Sequence, residues 1–590
     1  MSQLFRGRIA AVIFLPVILA MIGYLVVREG STERPEQLSI TTAGMVEMCI
    51  SCHTTEVLDG AHDRLVIGCS PCHLGDPLAI DKDKAHAGMV LNPGDLRVVH
   101  RTCGVTGCHP EDTDKVKKSL MATNRGILAT LLYYWGERDT QDADISVEQL
   151  LETGETSLAI DYYRKLCATC HLWKQKDDLP GAPAFFNEKG GGCSACHYVL
   201  PEGTPQNTVT TEVPDDIWDA DGVDKPHPLV IKQVPDDNCI RCHNRSGRLG
   251  LSYTGLYEAE GYGTPYEQGE HSSQRLVGDR YYLRLPEDIH HKKGMSCIDC
   301  HTRDEVMGDG EYYAHYEEAM EITCQSCHDE QPGLTRKENQ LTNVFARDGV
   351  FMLRGKNDEK ERLLRAPHEQ ACRYPGHERV SCVACHSTWV PQCYGCHVKR
   401  DNRETHLDKL TLEETPGWWE EGRSYIRYEK PMLGIWGDKV VVMTPGCQDL
   451  VTLIDEEGNV TGGFNRFTMA AISPHTTQAQ GRTCKDCHAS PKTVGLGEGT
   501  VVKKDGDWQF FPVERGVLTD VGQTPGFDNY VTIDGEPLQY GSRQDVRPFN
   551  GEELRRILRV GLCLDCHVTL DDPVYQEYDR EEPCPVFKEP

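Results

Sequence analysis

Apolar side chains are scarce in this chain of 590 residues. Hydrophobic residues make up only 38% of it, and aromatic residues only 7%. Its length is enough for two to four domains, so a conventional hydrophobic core in each would be thin. We therefore expect something other than side chains to fill part of the interior.

Basic residues are also few. The 62 lysines and arginines are outnumbered by 91 aspartates and glutamates, which gives a net charge of −29. Such an acidic chain is not expected to bind nucleic acid. The excess of negative charge either keeps the protein soluble or steers a basic protein partner towards it.

Cysteine, in contrast, is abundant, with 27 residues. Residues 382–397 read CVACHSTWVPQCYGCH and contain two copies of Cys-x-x-Cys-His. This pattern is the attachment site of c-type haem. Positions i, i+3 and i+4 share one face of a helical turn, so two thiols can bond one porphyrin edge while the histidine binds iron.

The pattern recurs along the whole chain, and we number its twelve copies in chain order as sites 1 to 12. The first cysteines are Cys49, Cys69, Cys103, Cys167, Cys193, Cys239, Cys297, Cys324, Cys382, Cys393, Cys484 and Cys563. The second cysteines are Cys52, Cys72, Cys108, Cys170, Cys196, Cys242, Cys300, Cys327, Cys385, Cys396, Cys487 and Cys566. The proximal histidines are His53, His73, His109, His171, His197, His243, His301, His328, His386, His397, His488 and His567.

Site 3 has four residues between its cysteines instead of two, so two residues must loop out. Zinc is the alternative ligand for paired cysteines. A zinc ribbon does not need a histidine directly after each second cysteine, and all twelve pairs here have one. We therefore predict about twelve covalently attached haems, close enough together to exchange electrons.

Twelve further histidines could bind the second axial position of each iron. They are His62, His86, His100, His227, His271, His290, His291, His315, His368, His377, His406 and His475. Twelve spare histidines for twelve haems predict mostly bis-histidine ligation. His290 and His291 are neighbours and are not both expected to be ligands, so one haem could have an open site or use Lys or Met, with Met121 as a candidate.

Three cysteines lie outside the motifs: Cys372, Cys447 and Cys584. Two of them could form a disulfide in an exported protein. An odd number leaves at least one thiol over, and the sequence does not select the pair.

The N-terminus has the pattern of a signal anchor. Arg6 and Arg8 precede an apolar run at residues 9–27, and 19 helical residues span roughly 28 Å, close to a bilayer core. We therefore expect a cytoplasmic segment at 1–8, an uncleaved inner-membrane span at 9–27 and a tether at 28–44. A cleaved signal peptide is the alternative. Either reading places the remaining chain in the periplasm.

The exported part divides into three predicted regions. Residues 45–200 contain sites 1–5 and bracing helices, and residues 201–400 contain sites 6–10. Residues 401–590 contain sites 11 and 12 and a small β-rich element near 430–545, where Lys439–Met443 and Leu450–Ile454 are strand-like runs. The predicted fold is a mostly irregular, short α-helical multihaem cytochrome c fold in which haems stack.

Several stretches resemble the multihaem cytochromes related to octahaem tetrathionate reductase. They are CIRCHNRSGRLGLSY from Cys239, DIHHKKGMSCIDCHT from Asp288, MGDG from Met307, CQSCH from Cys324, the Cys382–His397 stretch and RVGLCLDCH from Arg559. The resemblance implies a haem-stacking fold, the motif residues as haem ligands, and His290 or His291 as a distal ligand. It also implies redox work in an exported compartment, in some relatives the reduction of sulfur or nitrogen oxyanions.

Three functions follow as expectations. The first is an electron conduit in anaerobic or chemolithotrophic respiration, with a quinol-oxidising complex, a small cytochrome or a terminal reductase as partner. The second is a reductase of a small nitrogen or sulfur oxyanion, at one haem whose sixth position is open or not filled by histidine. The third is assembly into a larger cytochrome array, of which a homo-oligomer is one form.

Overall fold

The computed structural model describes residues 38–567 with gaps at 54–59, 143, 175–188, 202–226, 245–248, 259–273, 277–279, 369–371, 373 and 375, and also residues 569 and 572–576. Its helices are short. They are α1 Ser70–His73, α2 Lys82–Ala85, α3 Pro110–Lys118, α4 Leu120–Thr123, α5 Arg125–Tyr134, α6 Val147–Thr153, α7 Leu158–Tyr162, α8 Ser194–His197, α9 Asp236–Ile240, α10 Leu249–Tyr253, α11 Ile289–Lys292, α12 Cys297–Cys300, α13 Arg303–Met307, α14 Tyr316–Ala319, α15 Cys382–His386, α16 Cys484–His488, α17 Gly551–Gly561 and α18 Pro573–Gln576.

Strands are concentrated in the second half of the chain. They are β1 Ser39–Ile40, β2 Val46–Glu47, β3 Tyr198–Val199, β4 Leu229–Val230, β5 Leu256–Glu258, β6 Gln274–Leu276, β7 Arg280–Arg284, β8 Val344–Arg347, β9 Val350–Arg354, β10 Glu361–Leu363, β11 Val390–Asp408, β12 Glu413–Glu429, β13 Met432–Trp436, β14 Lys439–Ile454, β15 Val460–Ala471, β16 Gly499–Lys504, β17 Asp507–Pro512, β18 Leu518–Thr519, β19 Gly522–Gln523, β20 Tyr540–Gly541 and β21 Val546–Arg547.

The largest element is a mixed sheet of seven strands in the order β12-β11-β14-β13-β21, with β15 on β14 and β20 on β15. Strands β11 and β12 form a long antiparallel hairpin, in which Val390 lies opposite Glu429 and Asp408 opposite Glu413. Strand β11 also runs parallel to β14, where Cys396 lies opposite Asp449. Site 10 therefore lies within the sheet.

This sheet corrects the predicted fold class. The chain is not mostly helical, and its β structure is neither small nor confined to 430–545, because β11 begins at Val390. Sequence analysis missed the hairpin because residues 398–429 are rich in charged residues. Their backbone hydrogen bonds are satisfied by cross-strand pairing, so a polar outer face is compatible with a long strand. The strands expected at 439–443 and 450–454 are confirmed as parts of β14.

The predicted inner-membrane location also needs correction. No helix in the described ranges is long and apolar enough to cross a bilayer. The prediction of a single N-terminal span is therefore not supported, and residues 9–27, on which it rests, lie outside those ranges.

Polar contacts join the helices after site 3 to the sheet. The Arg164 guanidinium binds the Asp408 carboxylate at 2.9 Å, with both side chains buried. Lys165 Nζ donates to the carbonyl oxygen of Gly417 at 2.9 Å, and Trp135 Nε1 donates to Asp449 Oδ2 at 3.0 Å. Losing one partner of such a buried pair leaves an uncompensated charge, so these contacts define how the two parts dock.

Helix α17 leads directly into site 12 and has a double cap. Glu553 N–H donates to Asn550 Oδ1 at 2.9 Å, and Asn550 N–H donates to Glu553 Oε2 at 2.9 Å. The Glu553 carboxylate also binds Arg547 at 2.7 Å and Arg379 at 3.0 Å. Burial acts to raise the pKa of Glu553, but the Arg547, Asn550 and Arg379 hydrogen bonds outweigh it and lower the pKa from 4.5 to about 2.

We expect Glu553→Gln to lower the free energy of unfolding by about 1 kcal/mol at neutral pH, after allowing for solvent screening. A carboxyl group whose folded pKa is lowered stabilises the protein above its unfolded pKa, and this contribution is lost as the pH falls from 4.5 to about 2. The difference between wild type and variant should therefore shrink over that range in denaturant unfolding. The matched control is Glu552→Gln, on the same helix. An equal deficit at pH 7 and pH 2 would contradict the assignment.

Candidate haem sites and their histidines

Most motif copies are closed by the same backbone hydrogen bond. The histidine N–H donates to the carbonyl oxygen of the first cysteine at 2.7–3.1 Å in sites 1, 2, 5, 6, 7, 8 and 12. Sites 9 and 11 lie within α15 and α16. One helical turn thus holds two thiols and an imidazole close together, as the sequence pattern predicts.

Site 3 reaches the same closure in spite of its wider spacing. His109 N–H donates to the Cys103 carbonyl oxygen at 2.9 Å, as in the shorter motifs. The two additional residues form a loop in which Gly107 has φ +91°, a conformation that glycine adopts without steric cost. The expectation that two residues loop out at this site is confirmed.

Site 10 departs from the helical turn. Residues 393–397 lie in strand β11, and His397 is exposed. Cys393 packs against the buried cluster that contains Trp389, whereas Cys396 packs against the larger cluster that contains Trp419. The turn geometry predicted for this motif is therefore wrong, because pairing with β12 and β14 keeps the backbone extended.

A connected cavity of about 4060 Å³ runs through the molecule. Drug-sized ligands occupy about 300–1,000 Å³, so this volume would hold several large groups. Motif cysteines from nine sites line its wall, namely Cys167, Cys170, Cys196, Cys239, Cys242, Cys297, Cys300, Cys324, Cys327, Cys382, Cys385, Cys393, Cys396, Cys484, Cys487 and Cys563. The thiols therefore face a space of the size that large prosthetic groups need.

Many motif histidines are held through Nδ1. Backbone carbonyl oxygens accept this contact in five sites at 2.8–3.0 Å: Val90 from His73, Ile231 from His197, Arg365 from His328, Gln478 from His386 and Ile557 from His488. Carboxylates accept it in two sites at 2.9 Å: Glu305 from His301 and Asp572 from His567. An acceptor at Nδ1 fixes the proton there and leaves Nε2 as a lone-pair donor, the usual arrangement around a metal-bound histidine.

Burial keeps several motif and spare imidazoles neutral. It lowers the pKa of His73, His475 and His488, and it lowers the pKa of His171 to about 3. Metal binding requires the neutral ring. His171 is almost fully buried, and neither of its ring nitrogens has a hydrogen-bond partner. Leaving two buried nitrogens unsatisfied is costly, and a metal ion at one of them would remove part of that cost.

Six motif histidines lie opposite spare histidines. Their ring centres are 5.8–6.2 Å apart in the pairs His53–His86, His109–His62, His73–His227, His328–His290, His301–His475 and His488–His377. Two imidazoles bound at about 2 Å on opposite sides of one metal ion would have ring centres roughly 6 Å apart. Each pair therefore leaves room for one iron, so the residues present fit bis-histidine haem.

Four spare histidines also have an anchored Nδ1. The Nδ1 atom of His227 contacts the Pro228 carbonyl oxygen, and that of His475 contacts the Ser473 carbonyl oxygen. The Nδ1 atom of His290 contacts the Asp288 carboxylate, and that of His291 contacts the Glu287 carboxylate. Sequence analysis did not identify these acceptors, nor Glu305 and Asp572. The available signal was a carboxylate at helical spacing, four residues after His301 and four residues before His291.

The other spare histidines differ among themselves. His406 stacks on Trp418 with ring centres 4.4 Å apart, and its Nδ1 accepts the Trp419 N–H at 3.1 Å. That contact places the proton on Nε2 and leaves no lone pair for iron, so His406 is unsuited to the predicted role.

Two further spare histidines, His100 and His315, form no ring pair with a motif histidine within the described ranges, His368 lines the cavity, and His271 lies outside the described ranges. His315 is buried, and neither of its ring nitrogens has a hydrogen-bond partner. His291 packs edge-on against Tyr253 with ring centres 5.2 Å apart. The structure thus favours His290 over its neighbour as the partner of a motif histidine.

The remaining candidates lie close to the cavity. Met121 and the non-motif residues Cys372 and Cys447 are among its wall residues. Met121 lies beside site 4, where its carbonyl oxygen accepts the Leu172 N–H at 3.4 Å. Cys372 and Cys447 are not joined by a disulfide, and Cys584 lies outside the described residues.

Comparison with known proteins found no matching family model, no matching curated protein and no matching solved structure.

Proposed function

We propose that this protein is a dodecahaem c-type cytochrome that conducts electrons along closely spaced, mostly bis-histidine haems. The supporting observation is the set of six pairs in which a spare imidazole faces a motif imidazole at 5.8–6.2 Å. Haem supplies a one-electron carrier whose potential depends on its axial ligands and surroundings. The chain's own residues hold and orient the ligands and exclude water from the interior. Its partners would be other redox proteins, such as a quinol-oxidising complex, a small cytochrome or a terminal reductase.

Stepwise reduction tests this proposal. We expect the purified protein to take up about twelve electrons per chain, one for each motif, over a wide range of potentials. A spectrophotometric titration with a low-potential donor, with haem bands followed throughout, measures this number. Uptake of one or two electrons per chain would contradict a multihaem conduit.

One hydrogen bond predicts a selective shift of potential. Glu305 Oε2 accepts the Nδ1 contact of His301 at 2.9 Å, and a carboxylate there makes the imidazole a stronger donor to ferric iron. We expect Glu305→Gln to raise the potential of one haem by about 40 mV, the one-electron equivalent of a hydrogen bond worth about 1 kcal/mol. Redox titration of wild type and variant measures the shift.

The matched control for this change is Glu287→Gln. Glu287 binds His291, which faces no motif histidine, so its removal should leave all potentials unchanged. Equal shifts in the two variants would show that the effect is one of net charge and not of the ligand's hydrogen bond.

A second candidate function is reduction of a small nitrogen or sulfur oxyanion. The observation that favours it is His406, whose Nδ1 accepts a backbone N–H. Twelve spare histidines less this one leave eleven for twelve sites, so at least one iron needs another ligand or an open position. Turnover of nitrite, hydroxylamine, tetrathionate or sulfite with reduced viologen would support this function, and inactivity with all four would count against it.

A further inference from the structure

We propose that the attachment sites form one spatial file in the order 1-2-3-5-6-7-8-9-11-12, and that sites 4 and 10 form a side branch joined at site 5. The order describes an electron route only if the proposed function is correct. The order itself is read from contacts between the motif segments of this chain.

The first part of the file joins sites 1, 2, 3 and 5. The Sγ atoms of Cys49 and Cys69 lie within 4.8 Å of each other. The Val90 carbonyl oxygen, three residues before Pro93, contacts His73 Nδ1 of site 2 at 2.8 Å. The ring of His62, which lies between sites 1 and 2 in the chain, is 6.2 Å from that of His109 of site 3, so sites 2 and 3 are neighbours.

Residues 93 and 94 then connect site 3 with site 5. Cys103 Sγ contacts the Pro93 carbonyl oxygen at 3.5 Å, and Cys193 N–H donates to the Gly94 carbonyl oxygen at 2.9 Å. A side chain at position 94 would meet Cys193 Cβ at 3.3 Å. Site 4, although it comes earlier in the chain than site 5, does not lie between them.

Hydrogen bonds between motif segments continue the file through sites 5, 6 and 7. Asn238, directly before the first cysteine of site 6, donates through Nδ2 to the Cys196 carbonyl oxygen at 2.7 Å. Cys297 N–H of site 7 donates to Asp236 Oδ1 at 2.8 Å. Helix α9, which begins at Asp236, therefore contacts both neighbouring sites.

Sites 7, 8 and 9 follow in the same way. Cys300 and Cys327 pack against one buried cluster that includes Leu353. Gln325, inside the motif of site 8, contacts Cys382 Sγ of site 9 through Nε2 at 3.9 Å. His290, seven residues before site 7, faces His328 of site 8, which ties these two sites together a second time.

The end of the file skips site 10. Arg482 N–H, two residues before site 11, donates to the Cys385 carbonyl oxygen of site 9 at 2.8 Å. His488 of site 11 contacts the Ile557 carbonyl oxygen on α17 through Nδ1 at 2.9 Å. Lys485 Nζ binds Asp565, inside the motif of site 12, at 3.1 Å. Site 12 therefore forms one end of the file.

Sites 4 and 10 lie to one side, against the sheet. Cys167 and Cys396 pack against the same buried cluster, which includes Trp135 and Tyr162. Gly192 N–H, directly before the first cysteine of site 5, donates to the carbonyl oxygen of Leu172, directly after His171, at 3.0 Å, so site 4 borders site 5. The branch therefore runs from site 5 through site 4 to site 10.

Removing a site of the file and removing a site of the branch should therefore affect electron transfer from site 12 to site 1 differently. Removing site 8 interrupts the file, whereas removing site 10 shortens the branch. The paired variants are Cys324→Ser with Cys327→Ser at site 8, and Cys393→Ser with Cys396→Ser at site 10. Each should lose one haem in the haem count.

The test follows electrons from site 12 to site 1 in the full-length protein. A photosensitiser is attached at Arg555→Cys, an exposed position on α17. His86→Met at site 1 gives that haem a distinct spectrum and a raised potential, since thioether ligation raises the potential. We expect flash photoreduction to reach site 1 in the background protein and in the site 10 variant, and not in the site 8 variant.

Loss of arrival in the site 10 variant, or arrival in the site 8 variant, would overturn the order. If the double variants do not fold, His328→Met and His397→Met keep the thiols in place. A raised potential at site 8 should then slow arrival at site 1, because electrons on the file must leave that haem against its potential, while the same change at site 10 should slow arrival less, because transfer along the file does not pass through the branch. A background protein without haem bands would refute the proposed function instead, so the two failures are distinguishable.

Discussion

Replacing His475 by alanine will convert one low-spin ferric haem into a high-spin haem. The His475 ring faces His301 at 6.1 Å with an angle of 19° between the ring planes, and its Nδ1 contacts the Ser473 carbonyl oxygen at 2.9 Å. The residue has φ +54°, a left-handed conformation that is strained for a non-glycine residue and persists where the surroundings impose it. That strain agrees with a ring held in place to serve as a ligand.

Electron paramagnetic resonance of the oxidised protein measures the change. We expect a new high-spin signal equal to about one haem per chain, because alanine offers no ligand at the sixth position. The matched control is His406→Ala, which removes a spare histidine whose Nδ1 already accepts a backbone N–H. An unchanged low-spin spectrum in His475→Ala, or the same new signal in both variants, would contradict the pairing.

The second large effect concerns folding. A chain produced in a host that cannot attach haem will not reach the native state. The cavity of about 4060 Å³ is lined by sixteen motif cysteines among many other residues. Single Leu→Ala cavities already cost about 2.7–5 kcal/mol, and a whole domain is stable by only about 5–15 kcal/mol. Groups bound only in the native state would supply the missing stabilisation.

Circular dichroism in the near ultraviolet and limited proteolysis compare the haem-free chain with the haem-loaded chain from a competent host. We expect the haem-free chain to lack fixed aromatic signals and to be digested rapidly. A haem-free chain that unfolds cooperatively at the same denaturant midpoint as the loaded one would show that the cavity does not depend on its contents.

The local geometry of the motifs was predictable because it depends on short-range spacing. Cys-x-x-Cys-His closes one turn whether the surrounding chain is helical or irregular, and even the wide-gap site 3 forms the His109–Cys103 hydrogen bond. The caps at Ser146 and Asn550 were likewise visible in the sequence, since each is followed three residues later by Gln149 or Glu553.

The long hairpin and the pairing of the histidines were not predictable. Strand β11 is stabilised by partners up to 53 residues away, as Cys396 with Asp449. The polar outer residues of β11 and β12 also obscure the alternation of apolar and polar residues that identifies a strand. A histidine's partner depends equally on tertiary contacts. His475 precedes site 11 by nine residues but faces His301 of site 7, and His377 precedes site 9 but faces His488 of site 11.

The most direct measurement is the number of haems on each chain. A pyridine haemochrome assay together with the intact mass and elemental analysis of the same sample should give about twelve haems, about twelve iron atoms and no stoichiometric zinc. No Soret band, roughly one haem per chain, or zinc in place of iron would contradict a protein built around covalently bound haems.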